Sequence, residues 1–178
     1  MLTSPRQTFR GIPPRNGLGL PLSFWLCGTV AGMIGAGSWR LLRMYQVGRL
    51  DDMSAAHMFG IVAIAFALAL AFVSIGVFVA AGVVHGLLLL LGAGRRGYEA
   101  TFRTLAYAHG SGAMFGLIPF IGSTIGLLWT LAVAVPGLAE MQETNTGTAA
   151  IAVLAPAVLC CGATIFLFVI AFGVAAVR

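Results

Sequence analysis

The sequence is short of charge. Asp, Glu, Lys and Arg make up 8% of its 178 residues, against roughly 25% in soluble domains, whose surfaces must stay wet. So few charges cannot cover a water-exposed surface, so the solvent for most of this chain is lipid. Lysine is absent, and all 10 basic residues are Arg. Cysteine is scarce. Cys27, Cys160 and Cys161 lie inside apolar runs, and an adjacent pair is neither a CxxC redox motif nor a zinc spacing; they read as small packing residues. Nucleotide-binding loops, a dinucleotide fingerprint, HExxH and Gly-x-Ser-x-Gly are all missing, which removes the usual enzyme signatures. No cofactor or metal is expected, and no basic, aromatic-interleaved face exists for nucleic acid.

Long uncharged runs are what the chain does have. Charges cluster at Arg6–Arg15, Arg40–Asp52, Arg95–Arg103, Glu140–Glu143 and Arg178, and none falls between Asn16 and Trp39, Met53 and Gly94, Thr104 and Ala139, or Thr144 and Val177. A bilayer core about 30 Å thick takes roughly 20 helical residues. A charge at its centre costs about 2.5–3.5 kcal/mol even on the mild insertion scale. The pattern predicts an all-α fold, a polytopic transmembrane helix bundle with the lipid bilayer as its first partner.

Residues 1–16 read as a polar tail and 17–178 as one transmembrane domain. Spans are expected at about 18–39, 59–92, 104–118, 121–138 and 149–177. The first resembles a signal sequence in its flanking Arg residues, but its length, Pro21 and Trp25 suit a retained anchor. Residues 40–58 read as an amphipathic connector on the membrane surface. The second run is too long for one upright span, so it should tilt or protrude, with a bend near Ser74-Ile75-Gly76. Residues 94–103 read as a polar loop. Pro119 breaks the third run, because proline lacks a backbone donor and disfavours helix in the residue before it. The total is five spans, or four if the Pro119 hairpin is re-entrant. With the N-terminus inside, inner segments hold six Arg and outer segments four, which favours a cytoplasmic N-terminus.

Small residues recur at four-residue spacing at Gly28/Gly32, Gly82/Gly86, Gly112/Gly116 and Gly122/Gly126. Such pairs let helix backbones approach closely in lipid; most should pack within the chain, with dimerisation as the other use. His85 and His109 fall in apolar runs, where histidine can bind metal or relay protons. No Asp or Glu accompanies either one within its run, which weakens a proton- or ion-coupled carrier. Tyr98 and Tyr107 suit headgroup depth.

From Phe59 to the C-terminus the chain resembles the YIP family (Ypt/Rab-interacting membrane proteins and their bacterial relatives). The resembling residues are Gly94-Arg95-Arg96-Gly97-Tyr98, Phe102-Arg103, Ala106-Tyr107-Ala108, Ile118-Pro119 with Ile121-Gly122, Trp129, Gly137-Leu138-Ala139-Glu140 and Ala149-Ala150. The resemblance implies five spans, a cytoplasmic N-terminus and a non-enzymatic role in organising membranes or recruiting partners. Two departures stand out. His109-Gly110-Ser111-Gly112 occupies the place where the family often has a proline after its Tyr-Ala pair, and the long N-terminal region with an Asp-Leu-Gly motif is missing. Both point away from GTPase binding and toward a bacterial-type relative in the inner membrane. The residues singled out for packing or family identity are Gly97, Tyr98, Tyr107, Gly112, Gly116, Pro119, Gly122, Gly126, Gly137 and Glu140. The expected role is a scaffold that assembles with itself or with other membrane proteins. The competing expectations are a small channel or carrier built around the Pro119 break, and a metal enzyme requiring His85, His109 and a cysteine to meet.

Overall fold

A computed structural model describes residues 5–13, 17–48 and 54–159, and every regular element among them is helical. The order is α1 (Pro5–Arg10), α2 (Gly19–Gln46), α3 (Ala55–Leu90), α4 (Gly97–Ala113), a 3-10 turn (Met114–Leu117) and α5 (Gly122–Met141). A sixth helix, α6, starts at Thr146 and runs to Leu159, the last described residue.

The arrangement inverts a water-soluble fold. Helix α3 is the most apolar of the long helices, yet almost none of its greasiest stretch is buried, and Phe59, Ile61, Ile64, Leu68, Phe72 and Ile75 are exposed. Helix α4 carries Thr101, Arg103 and Thr104, yet it is the centre of the bundle, with α2, α3 and α5 packed around it. In water this would expose apolar surface at about 25 cal/mol per Å² while burying polar groups. In a bilayer it puts hydrocarbon against hydrocarbon and lets the polar groups bond to one another. The fold is an all-α helical membrane bundle.

Capping explains the helix ends. The Ser54 hydroxyl accepts from His57 N at 3.4 Å at the start of α3. The end of α3 is closed by Gly92 at φ 68°, with Gly92 N bonded to Leu89 O and Ala93 N to Leu88 O; this is a Schellman closure, for which glycine's left-handed freedom is suited. The same closure ends α5, but there Glu143 takes the left-handed position at φ 51°. Ile118, before Pro119, is extended at ψ 124°, as sterics with the ring require.

Several boundaries differ from the sequence reading. Helix α2 continues through Arg40–Gln46, because a run of good helix formers extends it while its charges stay exposed. Helix α3 passes through Ser74–Gly76 unbroken, with Ser74 Oγ donating to Leu70 O at 2.7 Å. Helix α4 starts at Gly97, inside the segment expected to be a polar loop. The polar tail is partly structured, since α1 packs on α5 through Phe9, which is 2% exposed. The last expected span reaches past Leu159, and its remainder lies outside the described residues.

Candidate functional site: glycine seams and a polar cap

Two seams hold α4 in place. On the α2 side, a Cβ added at Gly28 would lie 2.1 Å from Gly110 O, one at Gly32 would lie 2.0 Å from Ala113 O, and one at Gly116 would lie 2.6 Å from Gly32 O. On the α5 side, a Cβ at Gly112 would lie 2.0 Å from Thr130 Oγ1, at Gly126 2.5 Å from Gly112 O, and at Gly122 2.0 Å from Phe115 O. No real side chain fits at such distances, so the backbones touch because these positions lack one. Gly112, Gly116, Gly122 and Gly126 thus lie together around the Pro119 turn. Gly82 and Gly86 behave differently, since a Cβ at either meets nothing within 4 Å.

At the opposite end of α4 the polar residues converge. Gln142, wholly buried, lies at the centre. Its Oε1 accepts from Arg96 N at 2.9 Å, and its Nε2 donates to Gly97 O and Thr101 Oγ1, both at 2.9 Å. One amide therefore ties the end of α5 to the first turn of α4 and satisfies a donor that a helix start leaves open. This explains why the helix begins at Gly97. Thr101 Oγ1 also bonds His85 Nδ1 at 3.1 Å, which brings in α3. The His85 ring meets Tyr98 edge-on, and Tyr98 donates to Phe78 O at 3.0 Å.

Ion pairs close the rim. Arg10 binds Glu140 through Nε at 3.1 Å and through a second nitrogen at 3.2 Å, tying α1 to α5. The hydrogen bond that Arg10 donates to Glu140, and then the Glu140 charge, hold the Arg10 guanidinium above its ordinary pKa. Arg96 pairs with Glu143. Arg103 is buried at 3% exposure and reaches Glu99 at 3.5 Å and Gly17 O at 3.4 Å, and its Nε has no partner among the described residues.

The residues singled out from sequence therefore divide. Gly97, Tyr98, Glu140 and His85 meet in the polar cap, and Gly137 is beside it, where a Cβ would lie 2.5 Å from the Phe9 ring. Tyr107 is not at a headgroup surface: it is 6% exposed, with Phe9 and Phe24 against its ring. His109 is exposed on α4, two turns beyond Thr101, and Cys27 is exposed on α2. Among the described residues no group of three His, Cys, Asp or Glu is placed to hold a metal. Gln142 and Thr101 were missed in the sequence, because a glutamine beside two glutamates reads as ordinary loop polarity.

The sequence model of the Yip1 domain matches residues 1–173, and so takes in the first 58 residues, which lie outside the family motifs named above. No curated protein and no solved structure matches the chain. A match over nearly the whole length, on a helical bundle turned apolar side out, makes this chain a member of the Yip1 domain family.

Proposed function

We propose that this protein is a non-catalytic membrane scaffold, which organises the bilayer and recruits membrane proteins to its exposed helix faces. The observation that carries the reading is the long wall of α3. From Phe59 to Ile75 no other described element covers it, while its C-terminal half is held on α4 through Val77, Ala81, Val84 and Leu88. A helix anchored at one end and uncovered by described residues along the rest offers lipid or a partner helix a long apolar face. Polar groups in the cap are spent on bonds between helices, which fits a structural use better than substrate turnover. The bundle crosses the membrane five times in this reading, with α4 and α5 as two full antiparallel spans. Six Arg against four favour a cytoplasmic side for the N-terminus and the polar cap, and the membrane we propose is a bacterial inner membrane.

The test is site-specific photo-crosslinking in native membranes from Phe59, Leu68 and Phe72 on α3, with His109 as a site on another helix. Protein adducts from the α3 positions support the proposal. A chain that crosslinks only to lipid and migrates as a strict monomer in detergent overturns it.

A further inference from the structure

The Pro119 end of the bundle carries a groove of about 490 Å³, lined among others by Ala36, Trp39, Arg40, Arg43, Ile118 and Phe120. Ligand pockets run from about 300 to 1,000 Å³, so the size is sufficient. Its depth in the membrane follows from helix length. Gly19 to Trp39 spans about 31 Å at 1.5 Å per residue, roughly one hydrocarbon core, so Arg40 and Arg43 lie in the headgroup layer one turn apart on α2.

The groove is built, not merely open. Trp39 Nε1 donates to Leu117 O at 3.0 Å, which fixes the indole as one wall. The Arg43 guanidinium lies 5.2 Å from the centroid of the Phe120 ring. Phe120 holds a left-handed backbone at φ 64° while 81% exposed. A bulky residue rarely adopts that conformation, and such strain clusters at ligand-binding positions. Charge is one-sided here: two arginines line the groove and no carboxylate does, and among the described residues none pairs with Arg40 or Arg43. As far as the described residues go, both guanidiniums keep their forked donors available for phosphate oxygens. Apart from Gln46 and Ser123 the rest of the lining is apolar, and Leu42, Met44 and Ile118 are each at least 40% exposed.

We infer that this groove binds one anionic diacyl phospholipid, with its phosphate on Arg40 and Arg43 and an acyl chain along Ala36 and Ile118. A free soluble anion would use the arginines but leave the apolar lining wet, whereas a phospholipid satisfies both. The site is separate from the α3 wall, and either can stand without the other.

The full chain, purified in detergent, is titrated with dioleoyl phosphatidylglycerol and read by native mass spectrometry and thermal unfolding. Parallel arms use dioleoyl phosphatidylcholine and inorganic phosphate. One phosphatidylglycerol per chain is expected, with a rise in unfolding temperature that neither parallel arm gives. A basic residue near an anionic surface is worth about fivefold in affinity, so R43Q should weaken binding about fivefold and R40Q/R43Q about 25-fold. R95Q, which removes an exposed charge at the other end, should leave binding unchanged. A36F, which fills the groove without altering charge, should also reduce it. All four replaced side chains are exposed, and unchanged unfolding without lipid verifies the fold. The inference is overturned if R40Q/R43Q and A36F bind as the parent does, if phosphatidylcholine or inorganic phosphate gives the same shift, or if the arginine variants abolish a dimer instead of a lipid adduct.

Discussion

Replacing Gln142 with Leu should unfasten the polar cap. The change nearly conserves volume, so packing loss is small and the hydrogen bonds carry the effect. Three bonds of 2.9 Å disappear, to Arg96 N, Gly97 O and Thr101 Oγ1. Thr101 keeps His85 as a partner, so its share is the smallest. The Arg96 N–H loses its side-chain partner, while the Gly97 carbonyl keeps its place in the α4 ladder, and a buried group left unsatisfied costs about 1–3 kcal/mol. Both residues are half-exposed, so water recovers part of the loss. The expected destabilisation is about 2–3 kcal/mol, read as reversible unfolding in mixed micelles titrated with a denaturing detergent. Gln142→Glu separates geometry from volume. Its carboxylate keeps the acceptor for Arg96 N but turns an oxygen toward Gly97 O, so only the protonated form can donate there. Its folded pKa is then raised above the model-peptide value of about 4.3. The stabilising bond is present below that value and is lost as pH rises through the folded pKa, so Q142E should approach the parent at pH 4–5 and fall behind at pH 7. If Q142L unfolds within about 0.5 kcal/mol of the parent, where harmless surface changes fall, the amide does not hold α5 to α4.

Glycine substitutions should split according to the seams. Gly32→Val and Gly126→Val force backbones apart at contacts already near 2–2.5 Å from an added Cβ; overpacking of this kind costs about 1–3 kcal/mol, visible as a lowered midpoint in the same unfolding assay. Gly82→Ala and Gly86→Ala meet open space and should leave the midpoint unchanged or raised, since alanine favours helix by up to about 1 kcal/mol over glycine. Phe9→Ala should release α1: exposing a buried phenylalanine costs about 1.5–3 kcal/mol, and limited proteolysis should then cut within the first 13 residues faster than in the parent. Breaking the Arg10–Glu140 pair by R10Q should speed the same cleavage less than F9A does, because that pair is exposed and screened by salt.

The sequence alone determined the solvent of this molecule and the class of its fold. Charge-free runs and a shortage of carboxylates leave no way to build a wet surface, and that depends on composition and spacing, not on contacts. It also marked Pro119 as a break and Gly112, Gly116, Gly122 and Gly126 as sites of close approach, because local sterics act at the residue itself. Only the tertiary structure decided which helix lies inside. By periodicity alone α3 is the more apolar and the natural core candidate, yet in lipid burial follows polar bonding, and α4, with its threonines and Arg103, takes the centre. Gly82/Gly86 and Gly28/Gly32 are indistinguishable as strings, and a partner backbone has to arrive before one becomes a contact. Gln142 shows the same limit. Its role depends on residues about 40 positions away in the chain, so no local pattern could reveal it, whereas the hydrogen bonds that close α4 onto α5 display it directly.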